Sequence, residues 1–452
     1  MFMDKPGVGG PFCYLPPKLS HLSEFSQPQF LQSPNPFMHS NQMSNLLQRF
    51  IDQMEDSTTP KETDSSNNFF NFLSSDVTEL ILARLPVRSI IRCSAVCKLW
   101  HSIITAPLFS ASAAAPPWFF LYGQNNIFVK NNQAFAFDPD SNEWIKLPTT
   151  LFPVSISQES SFIGSGGFFF NTTANNFSFA PILIPSWRET TPLKFSRLNP
   201  LVGVISSEFS SNSNQNNRFE QKLNLPNIIV VGGVRFIGGL VDIEDNLAVE
   251  IYNPTLDSWD LCPPLPADFR SGNSSQSLSS AFFKSKFYVF GIHSCFISSF
   301  DLSNRVWSEV QTLRPPGVIT SFLISCRNQL MLAGLCNNPH GPSFNLWGID
   351  ELTMEFSEVA IMPPDLLNCL FDSDEDDRFA SLKCVGVGKY IFVFNEEHRR
   401  NYPACVCEVS SDSKQCRWRR IPDLPEPVNR FHKVISFCST ISLRWILDGE
   451  VA

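Results

Sequence analysis

Charge is in short supply in this sequence. Asp, Glu, Lys and Arg make up 17% of its 452 residues, where soluble domains carry about 25%. The balance is acidic, with a formal net charge of −9, and no run of Lys or Arg exists to meet a phosphate backbone, so nucleic acid is not an expected partner. Glycine is scarce beside proline, 21 against 34. No stretch reaches the 18 or so apolar residues that a membrane span needs, so no membrane partner is expected. The opening MFMDKPGVGGPF carries Asp4 and Lys5 without an apolar segment behind them and does not read as a secretory signal. A nuclear or cytoplasmic protein is the expectation. The 13 Cys are an odd number and scattered, which argues against a disulfide framework. The closest pairs, Cys93 with Cys97 and Cys405 with Cys407, lack the second pair or His spacing of a zinc site. No Gly-rich phosphate loop, H-E-x-x-H or G-x-S-x-G is present. Neither a catalytic residue, a metal nor a cofactor is expected.

Aromatics stand out against these gaps, since Phe alone occurs 42 times. Abundant Phe with abundant Pro points to many short elements separated by Pro-bearing turns. Residues 1–67 are the exception. They are rich in Ser, Asn, Gln and Pro without a sustained period, and read as a disordered low-complexity arm in which Met54 is an alternative start.

From Phe72 the character changes to FLSSDVTELILARLPVRSIIRCSAVCKLWHSIIT. Asp76 and Glu79 read as a capping-box pair, followed by Val77, Leu80, Ile81 and Leu85 at helical spacing. Pro86 stops that helix and opens a second with Ile90, Ile91, Val96 and Cys97; a third carries Leu99, Trp100, Ile103 and Ile104. So small a unit has more apolar positions than its own core can cover. The surplus face meets either a partner or the rest of the chain. The segment resembles the F-box, the adaptor-binding module of cullin-RING ubiquitin ligases, on Leu73, Asp76, Val77, Ile81, Leu85, Pro86, Ser89, Arg92 and the V-C-K-x-W run from Val96 to Trp100. Ser74 departs from the Pro usual in that family. The resemblance implies that Leu73, Val77, Ile81, Leu85, Pro86, Ile90, Val96 and Trp100 dock into a Skp-family adaptor, while some of them hold the helices together.

Beyond Pro116-Pro117 the chain repeats. Phe137 precedes Trp144 by seven residues, as Tyr252 does Trp259, Phe300 does Trp307 and Ile349 does Phe356. The first member ends one strand, polar residues make a turn, and the second starts the next strand. With Trp187 and Trp418 the landmarks fall at 144, 187, 259, 307, 356 and 418, spaced around a period of about 50. An apolar strand (WFFLYG, GGFFF, IIVVGG, FYVFG, LMLAG, KYIFVF) lies ahead of each hairpin, and Val428–Leu443 reads as a closing strand. This pattern resembles the degenerate kelch propeller of plant-type F-box/kelch proteins. The expected fold is multidomain: the arm, a small all-α three-helix F-box at 68–115, and an all-β kelch-type β-propeller of six blades at 116–452.

In such a propeller the loops joining blades and those between second and third strands emerge at one end. That end would present Arg235, His293, His340, His398, Arg399, Arg400 and Arg430, a mixed polar face suited to a protein target. The resemblance implies a non-catalytic substrate-recognition subunit of an SCF-type E3 ubiquitin ligase, linked through a Skp-family adaptor to a cullin-RING complex. Two alternatives stand beside it: a non-degradative interaction scaffold and a propeller that senses a small molecule.

Overall fold

A computed structural model describes residues 74–85, 87–106, 109, 117–125, 131–148, 161–173, 176–184, 186–205, 225–237, 242–270, 277–339, 341–371, 382–395, 403–410, 415–428 and 432–440. The N-terminal arm and Met54 lie outside these.

Among the described residues three short helices come first: α1 (Ser75–Leu82), α2 (Val87–Ser94) and α3 (Lys98–Ile104). The capping residue of α1 is Ser74 rather than Asp76, because the Ser74 hydroxyl accepts from the Val77 amide at 3.3 Å. Asp76 sits in the first turn, where its charge complements the helix dipole. Cys97 caps α3, its Sγ accepting from the Trp100 amide. The inward residues are Leu82, Ile90, Ile91, Ile103 and Ile104.

The remaining elements are almost all strands, in antiparallel blades. Blade 1 contains β1 (Pro117–Asn125), β2 (Gln133–Asp138) and β3 (Glu143–Lys146); blade 2, β4 (Ser161–Ser165), β5 (Phe168–Thr172), β6 (Phe177–Pro181) and β7 (Arg188–Glu189). Blade 3 has β8 (Leu201–Ile205) and β9 (Asn227–Val231), then a hairpin of β10 (Val234–Ile237) and β11 (Asp242–Asp245), then β12 (Val249–Asn253) and β13 (Ser258–Cys262). Blade 4 runs through β14 (Leu278–Phe283), β15 (Lys286–Gly291), β16 (Phe296–Asp301) and β17 (Val306–Trp307), with β18 (Gln311–Thr312) also on β16. Blade 5 is β19 (Val318–Cys326), β20 (Gln329–Asn338), β21 (Gly341–Ile349) and β22 (Phe356–Ile361), followed by the short α4 (Pro364–Asn368). Blade 6 is β23 (Leu382–Val387), β24 (Tyr390–Asn395), β25 (Ala404–Val409) and β26 (Cys416–Arg420).

The last strand, β27 (His432–Thr440), returns to pair with β1 along its whole length, from Pro117 opposite Thr440 to Asn125 opposite His432. It thereby becomes the innermost strand of blade 1 and closes the ring. The six inner strands neighbour one another in the cyclic order β27, β4, β8, β14, β19, β23. This is the six-bladed propeller expected from the repeat. The Ser/Asn tract SSEFSSNSNQNN between β8 and β9, which reads as a loop insertion in the third unit, lies outside the described residues.

Each blade is sandwiched between two others, so alternate side chains of a strand serve different interfaces. In β9, Ile228 and Val230 pack toward blade 2 while Ile229 and Val231 pack toward blade 4. That two-sided burial is why the second strands read as unbroken apolar runs. Six buried clusters result, one at each blade interface. Each holds one landmark aromatic: Trp187 between blades 1 and 2, Trp259 between 2 and 3, Trp307 between 3 and 4, Phe356 between 4 and 5, Trp418 between 5 and 6, and Trp144 between 6 and 1.

The expected hairpins are present in register. Phe137 faces Trp144, Tyr252 faces Trp259, Phe300 faces Trp307 and Ile349 faces Phe356. Three of these tryptophans also staple their blade to the one before. The indole N–H of Trp144 donates to the Pro422 carbonyl at 2.7 Å, that of Trp259 to Thr191 at 2.8 Å and that of Trp307 to Pro263 at 3.0 Å. Replacing Trp307 by Phe keeps most of the ring and removes the donor. The expected loss is about 1 kcal/mol, read from the midpoint of urea unfolding.

Candidate functional site

The F-box helices and the propeller share one buried cluster. Leu82, Ile90, Ile91, Ile103 and Ile104 join Trp118, Phe120 and Tyr122 of β1, Phe169 of β5 and Phe437 of β27. Phe109, between α3 and β1, is fully buried within it. The helical unit is therefore seated on the interface between blades 1 and 2. One of its faces is spent on its own chain.

Other apolar residues of the unit are left exposed. Val77, Leu80 and Ile81 of α1 stand 41%, 61% and 42% exposed, Val96 in the turn before α3 is 64% exposed and Leu99 is 51% exposed. Val77, Leu80 and Ile81 stand at i, i+3 and i+4, so they are neighbours on one side of α1. Large apolar residues at such density on a unit this small mark an interaction surface. Of the positions expected to meet an adaptor, Val77, Ile81 and Val96 are among these exposed residues. Leu85 and Trp100 are half-buried against the inner cluster, and Ile90 is 2% exposed and packs inside it. Leu73 and Pro86 lie outside the described residues. Leu80 and Leu99 are exposed as well without having been assigned to the adaptor; their helical spacing was the available signal.

Residues 70–110 match the family model described as the F-box domain. The chain carries an F-box. It is also 26% identical over 392 residues to an F-box/kelch-repeat protein of Arabidopsis thaliana, a match covering 82% of this chain and 90% of that one. Two further F-box/kelch-repeat proteins of the same plant are each 22% identical, over 431 and 381 residues. The first of these covers 77% of this chain and 72% of its own; the second covers 68% and 66%. F-box domains generally bind Skp-family adaptors, and F-box/kelch proteins are generally adaptors rather than catalysts.

Cys97, inside the F-box V-C-K-x-W run, is an exposed free thiol beside Val96 and Leu99. Cys384 is buried, and burial pushes its thiol well up from the ordinary range. Maleimide should label Cys97 rapidly in the native chain and leave Cys384 untouched until unfolding. A bound adaptor should slow Cys97 labelling by tenfold or more, measured by peptide mass spectrometry. Unchanged labelling would place the adaptor elsewhere.

On the propeller, Arg235 is exposed in the β10–β11 hairpin opposite Glu244, and His293 is exposed in the turn between β15 and β16. Both segments join second to third strands of their blades, so they emerge at the same end of the ring. The His293 carbonyl accepts from Arg314 at 3.0 Å. His340, His398, Arg399, Arg400 and Arg430 lie outside the described residues, as does the acidic run Asp372–Asp377. The hairpin is anchored, since Leu198, in the segment joining blades 2 and 3, bridges to Val234. Among the described residues no group of three or more His, Cys, Asp or Glu stands close enough to hold a metal ion.

Proposed function

We propose that this protein is the substrate-recognition subunit of an SCF-type E3 ubiquitin ligase. Its F-box binds a Skp-family adaptor, and through it a cullin-RING complex, while the propeller holds a target protein. The observation that carries this reading is an F-box packed on blades 1 and 2 that still exposes Val77, Leu80, Ile81, Val96 and Leu99. The chain performs no chemistry of its own. It raises the effective concentration of target lysines near the charged E2, and a seated F-box gives that proximity a set direction. The target face is the end bearing Arg235 and His293. The site of action is the nucleus or cytoplasm.

The decisive experiment measures half-lives of proteins captured by the propeller in cells with and without this chain. Targets should persist longer when it is absent; unchanged half-lives would make it a non-degradative scaffold. Seating adds a second expectation. Replacing Phe109 by Ser removes a buried ring from the junction while leaving the exposed apolar residues alone. Adaptor pull-down should be retained and ubiquitin transfer to the target should fall several-fold; equal transfer would mean that F-box orientation does not matter.

A further inference from the structure

The six inner strands enclose an axial channel of about 850 Å³, within the range of small-molecule sites. We propose that it binds one small amphipathic organic carboxylate, held at its charged end by Lys383. This goes beyond target binding and stands independently of it.

Two kinds of surface line the channel. Ile163, Val202, Leu278, Phe322, Val385 and Phe437 supply apolar walls, interspersed with the hydroxyl-bearing Ser165, Ser280, Ser325 and Ser439. Each inner strand is hydrogen-bonded to a sheet neighbour on one side only, so its other edge turns amides and carbonyls toward the axis. Water satisfies such edges as readily as a solute does. The walls and the charge decide between the two.

Among the described residues, Lys383 is the one charged member of that lining. Lys146, Lys284 and Lys389 each meet a carboxylate. Lys383 has no acidic partner among the described residues. An ammonium beside low-dielectric walls favours an incoming anion more strongly than one in open water. A single positive charge suits a monoanion, and apolar walls suit an organic body rather than a free phosphate. Lys383 pairs with Phe394 across the sheet, near the start of β23 and the end of β24. It therefore stands toward the mouth from which the connections between second and third strands emerge, and the apolar body would extend inward from it.

The test uses the full chain with two matched fluorescent probes, dansylglycine and its neutral amide. Wild type should bind one dansylglycine per chain and prefer it to the amide by about tenfold or more, a difference of about 1.4 kcal/mol. Lys383→Met should erase the preference without weakening the amide, and Lys383→Arg should keep it. Ser280→Trp, which fills the channel, should weaken both probes more than tenfold. The proposal is overturned if neither probe saturates, if Lys383→Met retains the preference, or if a folded Ser280→Trp chain binds as wild type does. Should Ser280→Trp not fold, the Met and Arg variants decide the matter.

Discussion

Replacing Leu80 and Leu99 together by Asp should weaken adaptor binding by a hundredfold or more and leave the thermal midpoint within a few degrees of wild type. Both side chains are more than half exposed, so charging them costs the free chain little. In a complex each carboxylate would be desolvated against an apolar partner, and apolar contacts at an interface centre lose 2 kcal/mol or more when removed. Two such losses exceed a factor of a hundred. Leu85 and Trp100 make a poorer choice despite their place in the family pattern. They pack against the inner cluster, so a charge there would test folding as much as binding. Titration of immobilised adaptor with the purified variant, alongside its melting curve, supplies the measurement. Binding within a factor of three of wild type would move the adaptor surface off these residues.

The second large effect concerns the joint between blades 2 and 3. Arg197, in the segment joining them, and Glu250, in β12, form an ion pair at 2.7 Å with both side chains inaccessible to solvent. Glu250 also accepts from the backbone amides of Lys194 at 2.8 Å and Phe195 at 3.3 Å, and Arg197 donates to the Ala248 carbonyl. Burial lowers the Arg197 guanidinium to about 10, with Glu250 opposing that shift. Glu250→Ala leaves a buried cation without its counter-charge and two amides without acceptors. A loss of about 3–5 kcal/mol is expected, a large share of the 5–15 kcal/mol that holds a typical domain together. Replacing both partners, as Arg197→Met with Glu250→Leu, should cost less than Glu250→Ala alone, because no charge is stranded. Equal losses in urea melts would show that the backbone bonds to Glu250, rather than the charge pair, carry the effect.

Much of the fold was legible because a propeller repeats one packing problem. The seven-residue spacing of Phe137–Trp144, Tyr252–Trp259, Phe300–Trp307 and Ile349–Phe356 is that of a four-stranded blade's outer hairpin, and in these four blades the two residues face each other across it. The second strands were readable as apolar runs because blades cover them on both sides. Less legible were features that depend on distant segments. The apolar stripe of α1 announced itself at helical spacing, yet spacing does not say whether such a stripe faces inward. Val77, Leu80 and Ile81 turn out, and Leu82 turns in. The cap of α1 was misplaced by two residues, since Ser74, Ser75 and Asp76 are all capping residue types and only backbone geometry chooses among them. The tryptophan staples reach carbonyls in the preceding blade, in one case 278 residues away in sequence, and no local pattern encodes such a partner.

By itself the sequence determined an F-box ahead of a six-unit propeller, the strand at which the ring closes, and the scarcity of charge that goes with so much two-sided burial. The abundant Phe belongs to the same solution, since every one of the six blade-interface clusters contains it. Tertiary structure alone decided that the F-box is seated on blades 1 and 2, which of its apolar residues remain for a partner, and that Lys383 lines the channel. The reason is one of range. Propensity and spacing act over a few residues, whereas these features arise where segments far apart in sequence are brought together by the closing of the ring.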